Sequence, residues 1–183
     1  MVKGNFQHIV RLPQGIDENE FLASNTFDFY NNLAMFHATV AEVCTPRDCP
    51  SMSTDPAQFP DFTWTDAQKR AVKLPAAQYI DYVLAWCQNS LDDPTLFPTK
   101  ANQDFPKDFI QTVSQIHRQL YRVFAHVYWA HFDTMLNLKQ EGHWNSLFAH
   151  WVAFNREFDL VKREEMKEME DLIQAWEQSG RFG

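Results

Sequence analysis

The chain has 183 residues, 45% hydrophobic, 22% charged and 15% aromatic, with only 5 glycines. That is a globular composition of one-domain length, and it argues against collagen-like repeats and glycine-rich phosphate loops. A net charge of -8 makes nucleic acid a poor partner and a basic or amphipathic peptide a better one.

Residues 1–15 read as an irregular or extended arm in which Phe6, Ile9, Val10 and Leu12 could pack on a body, broken by Pro13 and Gly15. A first helix is expected from near Asp17, with a second segment capped at Ser24 or Asn25. Phe27, Tyr30, Leu33, Ala34, Phe36, Val40 and Ala41 suit one broad apolar helical stripe. Residues 44–63 contain Pro46, Pro50, Pro56 and Pro60 and read as a loop that something must tie down. Pro75 opens a helix reaching Leu91, with Tyr79, Tyr82, Val83, Trp86 and Cys87 on one stripe. Cys87 reads as a small buried hydrophobe. Lys107 to about Gln140 is a periodic run long enough to bend or break. His143–Phe158 and Arg163–Trp176 follow as amphipathic segments, and no alternating strand pattern stands out. The fold class expected is all-α, with four or more main helices around an aromatic core. No run of about 18 apolar residues suggests membrane insertion. Met1 to Arg11 shows no apolar signal core and the cysteine count is odd, so reduced thiols in a cytoplasmic or nuclear setting are expected.

Cys44 and Cys49 have four residues between them, and so do His126 and His131. Two thiolates and two imidazoles form a closed tetrahedral set suited to zinc. Such a site would clamp the 44–63 loop against a distant helix. On an ideal helix, positions five apart point about 140° away from each other, so the histidines converge only across a bend, a helix edge or different rotamers. The alternative is two core histidines and two unrelated thiols. Four protein ligands leave no open position for catalysis, and no serine nucleophile elbow or His-Glu-x-x-His pattern is present.

Asp17, Glu18, Glu20, Asp28 and Glu42 outweigh Lys3 and Arg11 over residues 1–43. They form either a solvated face or a face for a basic helical segment, with aromatics such as Phe21 and Phe29 beside it. Arg118 and Arg122 share a helix face and could hold a phosphate or pair with acids. His117 reads as polar and open to solvent beside the core stripe. The acids of 164–171 read as a solvated helix face.

Several segments together resemble the Mob family of kinase co-activators. They are Leu22-Ala23-Ser24-Asn25-Thr26, Cys44-Thr45 through Cys49-Pro50-Ser51-Met52-Ser53, Leu91-Asp92-Asp93 with Leu96-Phe97-Pro98-Thr99-Lys100, and Arg122-Val123-Phe124-Ala125-His126-Val127-Tyr128 with His131-Phe132. The resemblance covers nearly the whole chain. It implies a single Mob-type domain over 1–183, built around a four-helix bundle with a zinc-tethered loop. It also implies structural zinc on Cys44, Cys49, His126 and His131. The implied partner is the basic N-terminal extension of an NDR/LATS-type kinase, received by Glu20, Phe21, Asp28, Asp17 and Glu18. Ile16 stands where the best-known class carries an acid, and Phe21 where it carries tryptophan. Arg118 and Arg122 match the ends of that class's phosphopeptide-binding basic cluster, while Gln119 replaces its basic middle, which weakens phosphopeptide binding. The opening from Val2-Lys3-Gly4-Asn5-Phe6 to Leu12-Pro13 is similar to the fungal Mob-two class, whose partners act in polarity and morphogenesis, including at the cell cortex or bud neck. A Mob-one-like activator, a phosphatase-complex scaffold and, remotely, a zinc hydrolase are the alternatives.

Overall fold

The computed structural model describes residues 5–100 and 103–183. Its helices are α1 (Phe6–Ile9), α2 (Glu18–Val40), α3 (Ala76–Leu91), α4 (Phe109–Ala130), α5 (Phe132–Asn137), α6 (Glu141–Glu157) and α7 (Glu170–Gln178). Two 3-10 turns, Arg163–Glu165 and Lys167–Met169, precede α7. The domain is all-α apart from a two-stranded antiparallel hairpin, β1 (Trp64–Thr65) and β2 (Ala71–Val72), which pairs Trp64 with Val72 and Thr65 with Ala71. The hairpin has no readable alternation because each strand is only two residues long. No helix of the described residues is long and apolar enough to cross a membrane.

The arm is not irregular throughout. Asn5 Oδ1 accepts from the His8 amide at 3.2 Å and starts a single helical turn. Phe6 and Val10 are buried, whereas Ile9 and Leu12 stay exposed. Residues Val2 to Gly4 of the class-like opening, with Lys3, lie outside the described residues.

α2 is one continuous helix and not two segments. Asp17 caps it, accepting from the amides of Asn19 and Glu20 at 2.9 and 3.1 Å. Asn25 does not start a new segment because its amide donates back to the Phe21 carbonyl at 2.8 Å, a bond that lets a polar side chain sit within a helix. Its inward residues are Leu22, Thr26, Phe29, Tyr30, Leu33, His37 and Val40. Phe27, expected on the core stripe, is 46% exposed, and Phe29 occupies the core instead.

α4 lies among α2, α3 and α6, so its buried arc is wide. Phe124 meets Trp144, Phe148 and Trp151 of α6 at ring-centroid distances of 5.0, 5.0 and 5.7 Å. Burying each such ring favours folding by about 1.5–3 kcal/mol. This aromatic slab positions α4, and α4 in turn carries the histidine pair.

Candidate metal centre

The long 107–140 run breaks at His131, which is both the last cap of α4 and the first cap of α5. Its φ of -133° and ψ of 12° leave the helical path, while its amide still donates to the Val127 carbonyl at 2.9 Å. That break brings the His131 ring to 5.2 Å from the His126 ring, centroid to centroid. The five-residue spacing therefore works through a backbone turn.

The cysteines come from the end of α2 and the loop behind it. The Cys44 amide continues the helical pattern to the Val40 carbonyl at 3.0 Å. A tight turn follows, in which the Cys49 amide donates to the Thr45 carbonyl at 2.7 Å and the Thr45 hydroxyl to Asp48 Oδ2 at 2.6 Å. The turn faces both thiols inward, and its far end is fixed because the Ala76 amide donates to the Cys49 carbonyl at 3.0 Å.

Cys44 Sγ lies 3.6 Å from His126 Nε2, and Cys49 Sγ lies 3.5 Å from His131 Nε2. All four ligand atoms are within 4.8 Å of one another and all four residues are buried. Across a tetrahedron with bonds of about 2.3 Å to sulfur and about 2.0–2.1 Å to nitrogen, sulfur and nitrogen stand about 3.5 Å apart. The His126 Nδ1–H donates to the Ser53 carbonyl at 2.7 Å, which leaves the Nε2 lone pair free to ligate. Burial pushes the Cys44 thiol up to about 12, with Cys49 adding to it, and raises Cys49 as well. Burial lowers His126, and burial followed by His126 lowers His131 to about 4. The imidazoles are thus neutral, as ligands must be, and among the described residues no cation favours the ionised form of either thiol. A divalent ion supplies that charge. The cluster is positioned for a structural metal ion, and its two-sulfur, two-nitrogen donor set fits zinc.

The other candidate residues stand apart from this cluster. Asp17, Glu18, Glu20 and Asp28 are exposed at the start and on the outward side of α2. Phe21 is half-buried, with its ring 6.0 Å from Phe154 and 5.8 Å from Phe158. Phe29 is inside, not on the acidic face. Arg118 and Arg122 do share a face of α4. Arg118 Nε donates to Glu165 Oε2 at 2.6 Å. Arg122 donates to the Tyr79 hydroxyl and lies 5.2 Å from the Phe62 ring centre. Tyr79 in turn donates to Gln119 Oε1 at 3.2 Å.

Residues 1–169 match the Mob1/phocein family. The chain belongs to the Mob1/phocein family. Over 182 residues it is 44% identical to the Saccharomyces cerevisiae "CBK1 kinase activator protein MOB2", covering 100% of this chain and 63% of that relative. It is 45% identical to the Schizosaccharomyces pombe "Maintenance of ploidy protein mob2", covering 100% and 74%. With "MOB kinase activator-like 1A" of Arabidopsis thaliana the identity is 38%, covering 94% and 80%. The chain thus spans between 58% and 74% of the length of the fungal relatives it matches.

Three features of this Mob-family domain escaped the sequence reading. Ser53 had no signal of its own, because its carbonyl is what contacts His126. His117 is fully buried and not solvent-facing. Its Nε2–H donates to Thr26 Oγ1 at 3.1 Å, and its Nδ1 accepts from Asn155 Nδ2 at 3.0 Å. The tautomer follows from Thr26, whose hydroxyl proton is already given to the Leu22 carbonyl at 2.7 Å. The acids of 164–171 are not simply solvated either. Glu165 pairs with Arg118, Glu168 accepts from the Tyr121 hydroxyl at 2.8 Å, and Glu170 pairs with Arg163.

Proposed function

We propose that this chain is a non-catalytic Mob-two-type co-activator that binds the basic N-terminal extension of an NDR-type kinase in polarity and morphogenesis signalling. The observation that carries this reading is the outward side of α2. Glu20 and Asp28 lie on it, with Glu18 exposed in the first turn, the helix contains no Lys or Arg, and none of the three is in an ion pair among the described residues. An unneutralised strip of carboxylates steers and holds a cationic segment. The printed name of the budding-yeast relative, a CBK1 kinase activator, supports the choice of partner. Docking orders the extension and biases the kinase toward one arrangement, with no chemistry by this chain. A metal held by four protein ligands keeps no open coordination position, which supports a structural role over a hydrolase. In the same reading, residues 1–183 form one Mob-type domain, and α2, α3, α4 and α6 make up its four-helix bundle. The proposed location is cytoplasmic, extending to the nucleus and to the cell cortex or bud neck.

Titration with the recombinant kinase extension at two salt concentrations tests this. Glu20→Lys should leave folding and metal content intact and weaken binding by about 2 kcal/mol or more, roughly thirtyfold. An exposed ion pair alone would be worth only about 0.2–1 kcal/mol. Absence of binding by the folded, metal-loaded wild type to any NDR-type extension defeats the reading. Unchanged binding by Glu20→Lys defeats the interface.

Phosphothreonine peptides should bind weakly or not at all. Glu165 already neutralises Arg118, Arg122 is held between Tyr79 and Phe62, and Gln119 contributes no charge. Calorimetry with phosphorylated and unmodified peptides checks this. Tight, phosphate-dependent binding abolished by Arg122→Ala would refute it.

A further inference from the structure

The two ends of the described chain meet. α7 stops in a turn that needs Gly180, whose φ of 70° lies in the left-handed region that a residue without Cβ enters freely. There the Gly180 amide donates to the Glu177 carbonyl at 3.1 Å and the Arg181 amide to the Trp176 carbonyl at 2.9 Å, the paired bonds of a Schellman cap. The Arg181 guanidinium lies 4.5 Å from the Trp176 ring centre and fixes the reversal. The chain thereby folds back and buries Phe182 beside Trp176 and under the guanidinium of Arg156, which lies 4.8 Å from the ring centre. Arg156 is itself held by its ion pair with Glu177.

α1 depends on this segment. It has only four residues, too few to be stable alone. Asn5 caps the His8 amide, while the Gln7 amide has no partner within so short a turn. That amide donates instead to the Phe182 carbonyl at 3.1 Å. The C-terminal segment thus supplies a cap that the sequence of α1 lacks. Gly183 lies so close to Asn5 that a Cβ there would strike the Asn5 side chain. The other hold on α1 is Phe6, whose ring centre is 6.1 Å from that of His150 on α6. Beside Phe182 a space of about 210 Å³ stays unfilled, lined also by Val10, Ala153 and Arg156, so this ring forgoes contacts that a core ring makes.

We propose that residues 179–183 are a latch on α1, and that the latch and α1 open together as one unit while the metal centre and the aromatic core stay closed. Segments with few buried contacts open locally, well below the free energy of global unfolding. Coupling between two such segments is reciprocal: if Phe182 orders α1, then α1 orders Phe182 to the same degree. Capture or removal of residues 179–183 therefore frees the N-terminal arm without unfolding the domain. This makes the C-terminal segment a control point for the N-terminal one, whichever partner the domain binds.

Hydrogen exchange, resolved by residue in the whole zinc-loaded chain, tests the latch. Phe182→Ala should speed exchange at the amides of 7–10 about tenfold or more, while the amides of α4 and of the 44–63 loop keep their wild-type rates. Gly180→Ala strains the reversal and should shift the amides of 7–10 in the same direction. Phe6→Ala should in return speed exchange at 181–183. Unchanged protection of 7–10 in Phe182→Ala overturns the latch, and an unmoved 181–183 in Phe6→Ala overturns the coupling. Faster exchange spread through α4 in Phe182→Ala overturns the proposal as well, because the segment would then be part of the core and not a separate unit.

Discussion

Stripping the metal from loaded protein will lower its melting temperature by roughly 10–15 °C and loosen the 44–63 loop, while the aromatic core stays folded. The ion would join Cys44 to His126 and Cys49 to His131, each pair 82 residues apart. A crosslink closing a loop of that size is worth about 4–5 kcal/mol in chain-entropy terms, and each kcal/mol moves the melting point of a chain this long by about 2–4 °C. The effect stops short of the collapse seen in small zinc modules because Phe124, Phe148, Trp144 and Trp151 pack without help from the site. Thermal melts with and without a chelator, read beside elemental analysis, measure the loss. Hydrogen exchange locates it in the loop. Cys49→Ser should melt near the stripped wild type and ignore the chelator. A fully stripped sample with an unshifted melt would show that the cluster holds no stabilising ion.

Acidification should unfold the domain partly through His117. Burial takes this imidazole from its ordinary 6.5 down to about 3. Its packing neighbours Phe29, Trp151 and Phe154 carry no charge, and the bond from Asn155 Nδ2 requires the lone pair of neutral Nδ1, whereas the Nε2–H bond to Thr26 is kept by either form. Above pH 6.5 both native and unfolded chains hold it neutral, and its contribution is fully present. Between 6.5 and about 3 the unfolded chain takes up a proton that the native chain refuses, so stability falls by about 1.4 kcal/mol per pH unit. Below about 3 the loss is complete. Going from neutral pH to about pH 4.5 should therefore remove roughly 3 kcal/mol through this residue. His117→Gln keeps a polar side chain but does not titrate. Its baseline stability should fall, while its acid sensitivity should be smaller than the wild type's by about that amount. Metal ligands and other buried histidines add to the total slope, which is why the difference between the two proteins is the quantity to measure. Equal slopes in denaturant titrations across this range would rule the histidine out.

Much of the architecture could be read along the chain because helices buried on one side repeat their apolar residues at the helical period. The third helix, the long run that becomes α4 and α5, and the two paired-ligand motifs were legible in this way. So was Cys87 as an inert buried thiol, which burial raises to about 12. Periodicity, however, orients a residue only relative to its own helix axis. It could not say which of Phe27 and Phe29, about 160° apart on the helical wheel, would face water and which would fill the core. Nor could it show that α4, surrounded by three helices, would bury His117 beside its apolar stripe. The metal ligands were visible as residues, but their convergence came from the backbone turn at His131 and the tight turn at Thr45 to Cys49. The fate of the basic face was likewise tertiary: Glu165 lies 47 residues from Arg118, and no local pattern encodes a pairing over that distance. Local spacing thus set which segments are helical and which residues could bind a metal. Long-range packing set which sides are wet, which charges are neutralised and which ligands meet, because those depend on neighbours brought in from elsewhere in the chain.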